Sequence, residues 1–387
     1  MRGALNPVLA RLIAGHIFLY ACMAGMRMAA PLLALRQGHG EVAVGVLMAL
    51  FALTQVFFAL PAGRYADRHG LKRPMGLSVV AATFGAGLAV AFPVFSVLCL
   101  SALLTGGAAG VASIALQRHV GRAAENPTEL KQVFSWLAIG PAISNFLGPF
   151  SAGLIIDNGG FRVAFLLMAA LPLLSWFWVK SVPDLPCVPT LGEQPEKRTW
   201  DLIREPMFRR LLLVNWLLSS CWDVHAFVVP VLGHERGLSA SVIGSILGAF
   251  AVASALVRVV LPLVAARLRE WAVISAAMAA TALLFGIYPL LQAPLAMGTC
   301  SILLGVALGT VQPMMMSMLH QITPGHRHGE AVALRVMAVN VSSFSMPMLF
   351  GLAGTAIGIS GVFWITGAIV AGGIRLAFKL RDDRTQT

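Results

Sequence analysis

The chain has 387 residues, 58% of them hydrophobic and only 11% charged, less than half the roughly 25% of an ordinary soluble domain, so it cannot clothe a water-facing surface. Twelve spans of about 20 residues would use roughly 240 positions and leave about 150 for loops and tails, which excludes a large extramembrane domain. The 28 Lys and Arg against 16 Asp and Glu give a formal charge of +12, an excess that on a polytopic chain marks loops on the cytoplasmic side, with no nucleic-acid partner implied.

Apolar runs predict spans over 12–34, 42–62, 75–94, 96–117, 133–155 and 162–179. A polar stretch with Pro183, Pro186, Pro189 and Pro195 follows and reads as a linker. The second half predicts spans over 208–232, 241–264, 272–290, 294–317, 332–356 and 360–379. The fold expected is an all-α membrane protein. Residues 1–180 would form a first six-helix bundle, 181–206 a cytoplasmic linker, and 207–387 a second bundle. With both termini cytoplasmic, the outer loops hold only Arg36, Arg162 and Arg236, and nearly all the remaining basic residues fall inside. The N-terminal Arg2 and Arg11 precede a long apolar run without a cleavage site, so the first span is expected to be retained.

An internal repeat supports the division. A shift of 199 residues superposes Arg11 on Arg210, Cys22 on Cys221, Pro31 on Pro230, Gly38 on Gly237, Gly45 on Gly244, Phe51 on Phe250, and Gly106 and Gly110 on Gly305 and Gly309. A shift of 198 superposes Ser144, Phe146, Pro149 and Gly153 on Ser342, Phe344, Pro347 and Gly351. Six spans per repeat give both halves the same membrane orientation. The five cysteines contain no CxxC pair and read as small buried hydrophobes. Met314 to Met316 with Met318 read as packing, and His320, His326 and His328 as residues of a cytoplasmic loop; no metal site and no cofactor is predicted.

The segment from Gly63 to Arg73 fills every position of GxxxD(R/K)xGxx(R/K) with Gly63, Asp67, Arg68, Gly70, Lys72 and Arg73. It resembles the signature of the major facilitator superfamily, at the loop where that family carries it. The resemblance implies two pseudo-symmetric six-helix bundles that rock about a central site, and a latch role for Asp67 and Arg68 in the outward-facing state. In the second half Arg267 is kept, but Ala266 stands where Asp67 would repeat. In the fifth span, Gly140-Pro141 and then Gly148-Pro149-Phe150-Ser151-Ala152-Gly153 resemble the GPxxGG motif of the drug:proton antiporter branch, with Ala152 for one Gly. Exporters of that branch usually carry an Arg in the fourth span, and Ser101 to Ile114 has none.

Charge inside a span costs at least about 2.5 kcal/mol at the bilayer centre, so it marks function or a paired partner. Arg27 in the first span and Asp223 in the seventh are the leading candidates for substrate or proton binding; an ion pair between them is the structural alternative. His225 follows, on the side of the helix away from Asp223, and His16 is a weaker candidate. Arg258 near the end of the eighth span reads as snorkelling. Gln55, Asn145, Asn215, Gln312 and Asn340 are polar groups that lipid cannot satisfy, and each is read as cavity lining or interhelical glue. There is no GxxxxGK[ST], HExxH, GxSxG or GxGxxG, so neither P-loop ATP hydrolysis nor another enzymatic activity is predicted.

The function expected is secondary transport by alternating access, as a monomer in the cell membrane. Proton-coupled efflux of a small lipophilic or cationic molecule is favoured, with proton-coupled uptake of a small anion as the nearest rival. A non-transporting assembly or sensor protein on the same fold is a third possibility.

Overall fold

A computed structural model of the chain describes residues 7–123, 136–137, 139–183, 201–264, 268–323 and 328–381. The first four long helices are α1 (Pro7–Arg36), α2 (Glu41–His69), α3 (Lys72–Ala91) and α4 (Phe95–Ala123). Ile139–Val179 follows as a 41-residue helical stretch, about 60 Å of helix at 1.5 Å per residue and so twice a bilayer core. It breaks at Gly160, with φ 80° and ψ 175°, a conformation that an L side chain rarely adopts. Its two pieces are α5 (139–159) and α6 (161–179).

After a one-turn helix Asp201–Arg204, the second half gives α7 (Pro206–Glu235), α8 (Ala240–Val264), α9 (Glu270–Ile287) and α10 (Pro294–Ile322). His328–Phe378 is again a double-length stretch, broken at Gly358 with φ 76° into α11 (328–357) and α12 (359–378). Ten helices among the described residues are long and apolar enough to cross a membrane; with the two double-length ones divided at their glycines there are twelve spans. Gly160 and Gly358 lie 198 apart and Gly38 and Gly237, also at positive φ, 199 apart, so the repeat duplicates the backbone breaks as well as the spans.

Several helices overrun their predicted ends. The predicted loop 63–74 is mostly helix, because Gly63–His69 forms the last two turns of α2 and only Gly70 and Leu71 separate it from α3. His320 lies in the last turn of α10 and His328 opens α11; His326 lies outside the described residues. Hydropathy reports only the part of a helix that lipid covers, and polar turns beyond it extend the same hydrogen-bond ladder. Of the predicted linker, 184–200 lies outside the described residues.

Two cores form. Leu19, Met26, Leu47, Phe51, Met75 and Phe165 centre the first, and Phe208, Met278, Phe285, Tyr288, Met315 and Phe363 the second. The outer faces are apolar and uncovered: Val80 and Phe84 on α3, Leu166 and Phe177 on α6, Leu283 on α9 and Ile369 on α12 are all exposed. Exposed apolar bands of this kind on α3, α6, α9 and α12 are the surface that lipid wets.

Twelve alternating spans put the start of α1, residues 179 and 206 and the end of α12 at one end of the bundle, the linker end. The halves meet along two seams that start at the opposite end, α2 against α11 and α5 against α8. A methyl group on Gly45 would stand 2.5 Å from the Pro347 carbonyl oxygen, and one on Gly244 would overlap the Pro149 carbonyl oxygen. Likewise Gly351 faces the Glu41 carbonyl at 2.7 Å and Gly153 the Ala240 carbonyl. Each contact is the repeat image of another, so one small-residue device closes both seams.

Candidate functional site

Arg27 lies two and a half turns before the end of α1, and Asp223 lies near the middle of α7. The structure brings them together across the junction of the halves, with Arg27 Nη2 3.4 Å from Asp223 Oδ1. The Asp223 side chain is 4% exposed and that of Arg27 25% exposed, so the pair is accessible from the arginine side only. Ser343 of α11 holds its hydroxyl 3.4 and 3.3 Å from the two carboxylate oxygens, and the neighbouring Ser342 bonds Ser220 of α7 at 3.1 Å. The separation exceeds the 2.7–2.9 Å of a tight charge-assisted bond, and Arg27 Nε is buried without a partner. It is the one ion pair between the halves among the described residues. Partner exchange at a carboxylate placed there changes the contact between the halves.

Asp157 makes a second polar bridge. Near the end of α5 it accepts the backbone N–H groups of Ala240 at 3.0 Å and Ser241 at 2.7 Å, capping the first turn of α8 across the seam. Four N–H groups at a helix start lack partners within the helix, and a carboxylate there answers both them and the helix dipole. Further toward the linker end, Gly248 meets the Phe146 ring, where a methyl would stand 2.8 Å away. That is eight residues into α8.

The Major Facilitator Superfamily model matches residues 12–222 and again 211–387. The chain belongs to the Major Facilitator Superfamily. It is 23% identical over 342 residues to the multidrug resistance protein MdtG of Yersinia enterocolitica, covering 83% of this chain and 80% of that one. It is 30% identical over 145 residues to the class B tetracycline resistance protein of Escherichia coli, covering 36% and 35%. Similar solved structures include a POT family transporter in complex with a thioalcohol-conjugated peptide, with a TM-score of 0.81, 14% identity and 97% and 96% coverage. The nucleoside transporter NupG aligns with a TM-score of 0.76 at 12% identity, covering 97% and 99%.

In this major facilitator, the fifth-span motif serves two interfaces. Gly148 packs on α1, where a methyl would stand 2.6 Å from Ala21 O and Gly25 N, while Pro149 and Gly153 face α8. Gly140 packs on the His16 ring, where a methyl would stand 3.0 Å from Nδ1. In the signature segment, Gly70 takes φ 71° and returns its N–H to the Ala66 carbonyl at 3.0 Å, the left-handed turn that lets α3 begin at Lys72 and Arg73. Gly63 faces Arg118 of α4, and Arg68 is exposed with an interaction of its own. The side chain of Asp67 lies outside what is described.

His225 stands apart from the ion pair. Its Nε2 is 2.9 Å from Ser301 Oγ, which is 2.9 Å from the Tyr288 hydroxyl, and its ring stacks on Phe250 at 4.1 Å. Gln55 bonds the Phe51 carbonyl of its own helix at 3.2 Å and packs against Gly110. Asn145 and Asn340 are partly exposed and Gln312 exposed. Arg258 is mostly buried, with its guanidinium 5.6 Å over the Trp222 ring and Nε unpartnered; it does not snorkel free. A cavity of about 440 Å³ between α2, α3 and α4, lined by Thr54, Phe58, Tyr65, Leu77, Leu104 and Val111, contains none of these charged groups.

Sequence reasoning missed three residues here. Arg335 of α11 is 9% exposed and donates from Nε to Asn215 Oδ1 at 3.0 Å. It interrupts an apolar run just as Arg258 does, so the charge-in-span signal was present. Asp157 was hidden at a span edge, and Ser343 carries no signal until α7 and α11 are packed.

Proposed function

We propose that this transporter couples proton movement to the export of a small, largely apolar molecule by alternating access. The observation that carries the reading is the Arg27–Asp223 pair bridging the halves. A buried carboxylate keeps its charge only while its partner stays close. Protonation of Asp223 releases Arg27 and removes one of the bonds that hold α1 to α7, so a proton is exchanged for a change in how the halves meet. Removing one member of a buried pair costs about 3–5 kcal/mol, enough to reverse a two-state balance.

The basic residues support a cytoplasmic linker end, and the close seams at the other end support a state open inward. Export is supported by the resistance-protein names of the relatives MdtG and class B tetracycline resistance protein. The apolar spans suit a lipophilic cargo better than a sugar. With three buried or half-buried arginines (Arg27, Arg258 and Arg335) against Asp223 within the spans, an uncharged or anionic cargo fits better than a cationic one. Asp67 and Arg68 act as the latch of the opposite state.

The test is reconstitution into liposomes enclosing a pH-sensitive dye, with a panel of lipophilic compounds added outside. Compound-dependent proton flux in the parent that is abolished in Asp223→Asn, at equal incorporation, supports the reading. Flux equal in parent and Asp223→Asn refutes it.

A further inference from the structure

Arg258 and Arg335 lie on different helices, α8 and α11, yet both reach the same helix, Arg258 over the Trp222 ring and Arg335 at Asn215, two turns apart on α7. Both are about six or seven residues from the linker end of their helix. Among the described residues no carboxylate pairs with either guanidinium. Their contacts are soft or neutral: Trp222 beneath Arg258, and Asn215 Oδ1 and the Met316 sulfur, 3.6 Å from Nη1, for Arg335. A cation inside a membrane span carries a desolvation penalty, and among the described residues no anion offsets it for either arginine.

The hydrogen-bond balance points the same way. Arg335 fixes the orientation of Asn215 by occupying its carbonyl oxygen, which leaves Asn215 Nδ2 buried with no acceptor, and Arg258 Nε is in the same position. Asn215 is 2% exposed, so water does not satisfy it from an open surface. The cluster is thus rich in donors and poor in acceptors, with a net charge of +2. An oxyanion has the opposite balance: several acceptor lone pairs, no donor, and negative charge that two guanidinium forks bind in planar geometry. The Trp222 face beside it offers an apolar surface for the remainder of such a molecule.

We infer that Arg258, Arg335 and Asn215 form a binding site for the carboxylate or phosphate group of an amphipathic small molecule, with Trp222 against its apolar part. The site rests on the transporter reading only in making that group part of the cargo. The same chemistry is carried by the headgroup of an anionic lipid, which reaches the linker end from the membrane.

The test is calorimetric binding of phenyl phosphate to the full chain in phosphatidylcholine nanodiscs, with benzylamine as the cationic counterpart. Saturable binding of phenyl phosphate, and none of benzylamine, is expected. Arg258→Gln and Arg335→Gln should each weaken phenyl phosphate by about tenfold or more, the worth of one charge-assisted pair. Binding within about twofold of the parent in both variants, or no saturation below about 10 mM in the parent, overturns the site. Should the glutamine variants fail to fold, Arg258→Lys and Arg335→Lys keep the charge and lose the fork; weakened binding in either supports the site, and unchanged binding in both overturns it. Phosphatidylglycerol added to the discs separates the sources, since competition assigns the site to lipid headgroups and its absence to solutes, either with the site intact. Binding is read without a pH gradient, so failure of proton coupling, seen as lost dye-detected flux, is distinguishable from failure of this site, seen as lost phenyl phosphate binding.

Discussion

Gly45→Ala tests the idea that the seams of small residues hold one conformational state. The added methyl would stand 2.5 Å from the Pro347 carbonyl oxygen and 3.3 Å from Gly351 Cα. Both neighbours are backbone atoms, so no side-chain rotation relieves the contact. To restore an ordinary separation of about 3.5 Å, α2 and α11 must part by roughly 1 Å. Overpacking of this kind costs about 1–3 kcal/mol, and it falls only on the state in which these helices touch. The gain in helix propensity from alanine, about 0.5–1 kcal/mol, is shared by both states and biases neither. The equilibrium should therefore move about 5- to 150-fold toward the opposite state. Gly244→Ala burdens the other seam, and the two effects should add because the sites share no partner. Spin labels at Gln117 and Gln321, exposed at the linker ends of α4 and α10, report the change as growth of a shorter-distance population. Gly87→Ala is the control, since a methyl there meets nothing within 4 Å. A double variant whose distance distribution superimposes on that of the parent would refute the reasoning.

Asp157→Ala removes both carboxylate bonds to the start of α8 and should cost about 1–2 kcal/mol of thermal stability; in the spin-label assay it should move the same way as Gly45→Ala. Arg27→Ala leaves Asp223 buried without its cation and should destabilise by about 3–5 kcal/mol, with most of the loss recovered in Arg27→Ala/Asp223→Asn. A single variant as stable as the parent to thermal unfolding would show that the pair bears little weight. Gly160→Ala forces an alanine to φ 80° and should lower stability by about 1–2 kcal/mol, whereas Gly87→Ala should not.

Much of the scaffold was legible because repeated glycines and prolines each have a geometric reason. Gly106 and Gly305 pack on the carbonyls of Phe51 and Phe250, and Gly110 and Gly309 on Gln55 and Ser254, so two packing contacts recur at one sequence offset. Arg27 and Asp223 were legible as a pair because charge in an apolar run has few means of being satisfied. Helix ends such as Gly63–His69 were not, because hydropathy is blind to a polar turn that continues a helix beyond lipid. Ser343 was not either, since a serine bonds its own helix as readily as a neighbour.

The repeat also separates scaffold from chemistry. At the offsets that superpose the glycines, Arg27 falls on Ala226, Asp223 on Ala24, Arg258 on Ala59 and Arg335 on Leu137. Every buried charge of the two clusters thus replaces a small or apolar residue of the other half. A symmetric pair of bundles supplies two equivalent seams and so a rocking motion with no preferred cargo or ion. A charge present in one half only gives the central region a polarity that rocking alone lacks, since Asp223 and the Arg258–Arg335 cluster belong to the second bundle while Arg27 alone is contributed by the first. Exchange of partners at Asp223 therefore alters the junction of the halves, whereas occupation of the arginine cluster acts within one of them. Coupling between the two requires a shared element, and α7 is that element: Asn215, Trp222 and Asp223 all lie on it, so a group bound at the arginines would bear on the same helix that carries the carboxylate proposed to take the proton.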